Sequence, residues 1–264
     1  MSTEVSERLR GYAFGAAGLL GLVALWWLLQ ATVFADKLVP SPWGVLTTYG
    51  DDGFTFYRNN FTSTVEESLR GFAYGNGLAL LLASVVLLVP QLERVITQIA
   101  IISYCIPLVA ITPILYVVLG GADGVGEPSP TAVALAAVSC FFTTLVGAVL
   151  GFRSADPASL DVVSVYGGGR FQQLRKVQLV SALPAIISSL QIAAPAAFLG
   201  AVLGEYIGGV DRGVAPALIN AAQNLNDERA WGLMLVSGLV AGVGYGFFSV
   251  LARFVTPWSK GAAS

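Results

Sequence analysis

The chain has 264 residues, 55 % of them hydrophobic and 11 % charged, with a net charge of −2 and no histidine. A soluble globular domain carries about 25 % charged residues, so most of this surface is not built to face water. Without a basic tail no nucleic-acid partner is expected, and without histidine the commonest metal ligand and general base is missing, so neither a metal site nor a catalytic residue is expected.

Three uncharged runs, 12–34, 71–91 and 95–122, each reach the roughly 20 residues that a helix needs to cross a bilayer. The chain-order reading gives six membrane spans. The first, 12–34, is too long for a secretory h-region and has no small-residue cleavage site after it, so it is read as a retained span. The stretch 35–64, with Pro40, Pro42, Gly44, Gly50 and Gly53, reads as a turn-rich solvated loop with a short surface helix at 45–49. Spans two and three follow at 65–89 and 92–119, span four at 131–152, span five at 184–207 and span six at 230–254. Pro107 and Pro113 should kink span three and Pro195 span five. The alternation of barrel strands is absent, so the expected class is an all-α polytopic membrane protein forming one transmembrane domain over 1–264. Cys105 and Cys140 lie in apolar runs and read as small core residues. Gly200, Gly204 and Gly208 in span five, and Gly238, Gly242 and Gly246 in span six, recur every four residues, a spacing that lets helices pack closely inside the protein.

Basic residues set the orientation. With the N-terminus in the cytoplasm, Arg8, Arg10, Arg94, Arg153, Arg170, Arg175, Lys176, Arg253 and Lys260 fall inside, against Lys37, Arg58, Arg70, Arg212 and Arg229 outside. Both termini are therefore expected in the cytoplasm, together with the long connection 153–183.

That connection carries its own signals. Asp156 is a good N-cap and Pro157 suits the first turn, so a short helix runs to Tyr166. Gly167, Gly168 and Gly169 stop it. A second helix starts near Arg170, with Phe171, Leu174 and Val177 on one face. On the first helix, Leu160, Val163 and Tyr166 share a side. By spacing alone this helix–turn–helix either lies in a groove on a partner or packs on the protein's own membrane face.

The segment Asp161-Val162-Val163-Ser164-Val165-Tyr166-Gly167, followed by Gln178-Leu179-Val180-Ser181-Ala182-Leu183-Pro184, resembles the EAA loop of ABC importer permeases. Leu38-Val39-Pro40-Ser41-Pro42, Ser68-Leu69-Arg70-Gly71-Phe72 and the Gly-Glu-Tyr-Ile-Gly-Gly run around Glu205 extend the resemblance. They point to the nitrate/sulfonate/taurine branch of type I importer permeases. Asp161 stands where glutamate is usual, Val162 and Val163 replace two alanines, and Val180 replaces a proline, while Gly167 is kept. An altered motif of this kind also fits one half of a heterodimer.

The resemblance implies the type I permease fold, with the insert as a coupling helix that docks on a separate ATPase through Ser159, Leu160, Asp161, Val163, Ser164, Tyr166, Gly167, Gly168, Arg170 and Phe171. It implies two ATPase subunits, a second permease subunit, identical or paralogous, and an extracytoplasmic solute-binding protein. No P-loop string occurs in the chain, so ATP and magnesium are expected on the partner ATPases and no cofactor on this chain. Transport would proceed by rocking of helix bundles. The cargo class would be a small nutrient such as nitrate, a sulfonate, bicarbonate or a vitamin precursor.

Glu205 is the one acid deep in an apolar helix, and intramembrane acids usually face a cavity or the bundle interior. It is expected either to pair with Arg70 or Arg229 at an outer gate or to snorkel to the membrane interface. Ser103, Pro107, Tyr116, Ser139, Thr143 and Gln191 are the candidates for a pathway lining, with helix packing and interhelical hydrogen bonding as their other reading. An ion-gradient-driven secondary transporter is the alternative, but it needs more buried carboxylates and an internal repeat, and an intramembrane enzyme needs histidine or a carboxylate cluster.

Overall fold

The computed structural model describes residues 2–34 and 39–258; Lys37, Leu38 and Lys260 lie outside the described residues. Those residues form helices and no strand. In chain order the helices are α1 (Ser2–Thr32), α2 (Pro42–Leu88), α3 (Glu93–Cys105), α4 (Leu108–Leu119), α5 (Pro130–Arg153), α6 (Pro157–Val165), α7 (Arg170–Gln173), α8 (Leu179–Ile207), α9 (Val214–Gln223) and α10 (Asp227–Val255). Among the described residues, five stretches are long and apolar enough to cross a membrane: Ala13–Thr32, Pro42–Leu88, Pro130–Arg153, Arg170–Ile207 and Asp227–Val255. The bent pair α3–α4 makes up to six.

The chain, read from sequence as one domain, divides into two compact units. The smaller comprises Met1–Tyr57 with Leu218–Leu235, the larger Arg58–Ala217 with Val236–Ser264.

In the smaller unit residues 42–57, read from sequence as part of a solvated loop, are helical, which corrects that reading. Ser41 caps α2, its hydroxyl accepting the Gly44 N–H at 3.0 Å, and Pro42 fills the first turn, where its missing N–H costs nothing. Only Gly53 interrupts the helix, with φ 71° and ψ 160°. Composition could not separate these roles, because a proline opening a helix and a proline in a turn look alike. Asp52, just before the break, has its side chain 1 % exposed and receives the Arg229 Nε at 2.9 and 3.0 Å and an Nη2 hydrogen bond. The Tyr57 hydroxyl donates to the same carboxylate at 3.3 Å, and the guanidinium lies 5.2 Å from the Phe56 ring centre. Arg229 is thus committed to Asp52, not to Glu205. Asp52→Asn is expected to cost about 2 kcal/mol, the scale of a hydrogen bond to a charged group. Thermal unfolding in lipid nanodiscs measures this, and Arg229→Lys should lose a similar amount because an ammonium lacks the two-pronged fit. Trp26 of α1 stacks on Trp231 with ring centres 5.4 Å apart.

In the larger unit, α5 and α8 form the central seam. Ser129 caps α5, accepting from Ala132 N–H, Pro130 opens it and Arg153 closes its last turn, where the helix dipole favours a cation. Ala132, Ala136, Cys140 and Ala148 of α5 and Ala182, Ala193, Ala197 and Ala201 of α8 are fully buried. Residues this small let the two backbones approach closely. Gly200 and Gly204 belong to the same contact: a Cβ on Gly204 would fall 2.4 Å from the Ala132 Cα. Gly71 and Gly75 of α2 press on α5 in the same way, the latter against the Ala137 carbonyl. The second glycine row behaves differently. Gly238, Gly242 and Gly246 have, among the described residues, no atom within 4 Å of a built Cβ, so no neighbour presses on that row as α5 does on α8.

Two further expectations need correction. Span three is two helices bent by 99° at Ile106–Pro107, not one kinked rod. Ile106 is extended (φ −73°, ψ 124°) because a residue before proline avoids the helical region, and Pro107 then begins α4. Cys105 ends α3 at this bend and is exposed, whereas Cys140 is in the core. In span five, Pro184 and Pro195 both sit inside α8 without interrupting it. The helix is preceded by one π-turn, Leu174–Gln178, so that helix runs from Arg170 to Ile207.

Candidate functional site

Two places concentrate chemistry-bearing residues, both in the larger unit. One is the insert between α5 and α8. Asp156 caps α6 through its side chain, accepting the Ala158 and Ser159 N–H groups at 3.3 Å and the Ser159 hydroxyl at 3.1 Å. At the other end Gly168 N–H donates to Val163 C=O at 2.8 Å and Gly167 N–H to Ser164 C=O at 2.9 Å. That pair of bonds, with Gly167 at φ 76°, is the left-handed glycine stop of a helix. The glycines differ in role: a Cβ on Gly167 meets nothing within 4 Å, whereas one on Gly168 would strike Val163.

Gln173 pins the hairpin, its amide donating to Leu160 C=O at 3.2 Å and the Ser164 hydroxyl at 2.9 Å. Leu160 and Val163 are therefore half-buried within the hairpin. The apolar groups left outside are Val162, Val165 and Tyr166, the last two 84 % and 87 % exposed, with Phe171 also exposed. Asp161 and Ser164 are exposed beside them, and Arg170 lies against the Leu88 carbonyl at the end of α2, donating at 3.5 Å.

The second place is a buried carboxyl pair. Glu205, near the end of α8, is 2 % exposed and Glu67 of α2 is fully buried. Glu205 accepts the Thr64 hydroxyl and, at 2.9 Å, the Ala215 N–H in the first turn of α9. Thr64 in turn accepts the Val214 N–H at 2.9 Å. Glu67 accepts the Ser129 N–H at 2.7 Å. Gly213 belongs to the site because a Cβ there would come within 2.4 Å of the Glu205 carboxyl. Arg70, expected as a partner of Glu205, is exposed and pairs with Glu66 one turn away at 2.5 Å. Arginine was a natural choice of partner on charge alone, but backbone N–H groups at the start of α9 fill that role. Glu67, Thr64, Ser129 and the 213–215 turn were not read from the sequence. The only available signal was Glu66-Glu67 at the edge of an apolar run, and it could equally mark a solvated helix end.

The expected pathway residues are scattered. Ser103 and Ser139 spend their hydroxyls on the carbonyls of Ile99 and Leu135 in their own helices. Pro107 is exposed at the α3–α4 bend, Tyr116 lies against Gly121 and Gly209, and Thr143 and Gln191 are half-buried on α5 and α8. The buried polar pair on α5 is formed by the neighbour, Thr144, which bonds Asn76 of α2. An apolar groove of about 410 Å³, walled by Phe72, Phe198, Phe247 and Phe248, is lined by none of the expected gate or pathway residues.

A bundle of apolar helices with a polar helix–turn–helix set between two spans is the build of a multi-pass transport permease. The profile of the binding-protein-dependent transport system inner membrane component family matches residues 75–261, and the chain belongs to that family. It is 27 % identical over 223 residues to a probable ABC transporter permease protein of Haemophilus influenzae, covering 83 % of this chain and 86 % of that one. Over 241 residues it is 22 % identical to the formylaminopyrimidine transport permease protein ThiX of Halalkalibacterium halodurans, covering 91 % and 94 %. It is 23 % identical over 241 residues to the putative aliphatic sulfonates transport permease protein SsuC of Bacillus subtilis, covering 90 % and 84 %. The chain is therefore an inner-membrane ABC importer permease subunit, and the ATPase activity sits on separate subunits.

Proposed function

We propose that the α6 hairpin is the docking element for an ATPase subunit, and that this permease moves a small anionic or heterocyclic nutrient from a solute-binding protein into the cytoplasm. The observation that carries the docking reading is the exposed set Val162, Val165, Tyr166 and Phe171 on a hairpin that is capped at both ends and pinned by Gln173. Asp161 and Ser164 are exposed among them, so the surface is too polar for lipid and suits a groove on a soluble partner. In this reading the insert and both termini are cytoplasmic, and a second permease subunit, identical or paralogous, completes the membrane part. ATP and magnesium are held by the ATPases, whose closure drives α6 and rocks the bundles. The cargo is of the sulfonate, nitrate, bicarbonate or vitamin-precursor type, in keeping with the different solutes in the names of relatives. Binding measurements on the cognate solute-binding protein would identify it.

Gly167→Val tests the docking. Its Cβ meets no atom, so the cost is confined to a left-handed backbone, about 1–2 kcal/mol for a residue other than glycine. The protein should reach the membrane in normal amount while ATP hydrolysis no longer drives uptake. A cysteine at Tyr166 should cross-link to the ATPase subunit. Normal coupled uptake by Gly167→Val together with no cross-link would refute the docking.

A further inference from the structure

The end of α2, the start of α3 and the end of α5 meet at one corner of the larger unit. Three apolar stretches end or begin there, at Leu88, Pro90 and Arg153, so the corner lies where the helices leave the hydrocarbon. Two cavities open at it and share Pro90 and Glu93. One, of about 420 Å³, is lined by Pro90, Glu93, Arg94, Thr97 and Gln98. The other, of about 100 Å³, is a cleft between Ala83, Val86 and Leu87 of α2 and Val149, Phe152 and Arg153 of α5. A polar hollow thus adjoins an apolar cleft. The charge here is uneven. Arg153 donates to Glu93, and Arg170 to the Leu88 carbonyl at 3.5 Å. Arg94 is exposed and is in none of the ion pairs among the described residues. Three guanidiniums therefore stand against Glu93, the one acid lining either cavity. Glu93 occupies one nitrogen of Arg153, and a guanidinium has further N–H groups to give.

We propose that this corner binds the phosphodiester headgroup of an anionic phospholipid, with Arg94 and Arg153 on the phosphate, Thr97 and Gln98 beside it, and the first acyl carbons in the cleft against Val149 and Phe152. Arginine suits a phosphate because its planar fork offers two parallel N–H donors. Basic pockets between spans at a membrane surface hold lipid headgroups by the same physics. The rest of α3 favours a lipid as the source of the anion. Val95, Ile99 and Ile102 are exposed at positions i, i+4 and i+7, an apolar face suited to acyl chains. Arg94, Thr97 and Gln98, at i, i+3 and i+4, occupy the face beside it. Charged and apolar groups thus stand in the order in which a phospholipid presents headgroup and tail. A soluble protein or a free phosphate would meet the charges and leave the apolar cleft unfilled. The inference concerns the larger unit alone. It rests neither on the docking role of α6 nor on which side of the membrane is cytoplasmic.

Native mass spectrometry of the full detergent-purified chain, titrated with phosphatidylglycerol or phosphatidylcholine, tests the proposal. Phosphatidylglycerol should add as one saturable adduct at concentrations where phosphatidylcholine gives only the non-specific background. Arg94→Gln should weaken that adduct about fivefold, the scale of one basic contact with an anionic lipid surface. Arg253→Gln removes an exposed charge on α10 that lines neither cavity, and should leave the adduct unchanged. Thr97→Phe fills the hollow without altering charge and should weaken the adduct at least as much as Arg94→Gln. Inorganic phosphate at millimolar concentration should not displace the lipid. The proposal is overturned if the two lipids bind alike, or if Arg94→Gln and Arg253→Gln weaken the adduct equally. Competition by inorganic phosphate would also overturn it and leave a site for a small anion only. An unchanged adduct in Arg94→Gln, with loss of the co-purifying ATPase subunit, would overturn it in favour of a protein contact. The comparison of the two lipids is made on the wild type and stands even if a variant folds poorly.

Discussion

Gly204→Leu is expected to abolish recovery of folded protein. A Cβ at Gly204 would lie 2.4 Å from the Ala132 Cα and 3.0 Å from its Cβ and N, so the obstacle is mainly backbone on α5 and no rotamer relieves it. The rest of the leucine then has to separate two helices whose contact is made of fully buried alanines. Overpacking a core costs about 1–3 kcal/mol where side chains can shift, and more where they cannot. Here the loss should exceed about 3 kcal/mol. Size-exclusion chromatography of the detergent-extracted protein measures it, the variant running as aggregate. Gly242→Leu is the control. With no atom within 4 Å of its Cβ, it should give a monomer fold at wild-type yield, and any effect should fall on association with other chains. A well-folded Gly204→Leu would show that the α5–α8 contact is looser than described.

Glu205→Gln should be the most damaging polar change. The carboxylate accepts from both Thr64 and Ala215, and an amide offers one oxygen and one N–H₂ in the same space. One of two buried donors then faces another donor, at a cost of about 1–3 kcal/mol. The 213–215 turn loses its anchor, so the expected result is a lower melting point and faster proteolysis at 209–214, with transport reduced in proportion. Glu67→Gln, by contrast, should cost less, because Glu67 accepts one donor, the Ser129 N–H, which an amide oxygen can still receive. Equal damage from the two substitutions would show that the carboxyls play equivalent parts.

The two positions mark the limit of what the sequence showed. Glu205 stood out because an acid eleven residues past Ala194 in an apolar stretch has few explanations. Its partners did not stand out, because Thr64 and Ala215 are ordinary residues that become ligands only when α2 and α9 converge on it. The insert shows the same division. Asp156, Pro157 and Gly167 announced the start and stop of α6, since caps act over three or four residues of chain. Spacing left open which side of α6 faces outward; in the fold Gln173 ties Leu160 and Ser164 to the second helix, and Val165 and Tyr166 are the exposed apolar groups.

What the sequence by itself determined is the all-helical membrane build, the apolar stretches and the place of the insert. Hydropathy, proline and glycine signals act locally, and a bilayer leaves backbone few alternatives to a helix. Tertiary structure alone decided that one glycine row is a seam and the other is open, that Pro107 bends a span by 99° while Pro195 leaves its helix unbroken, and that Glu205 is held by a threonine hydroxyl and a backbone N–H and not by an arginine. Each depends on which neighbour supplies the missing contact or hydrogen bond, and a side chain's own type carries no record of that neighbour.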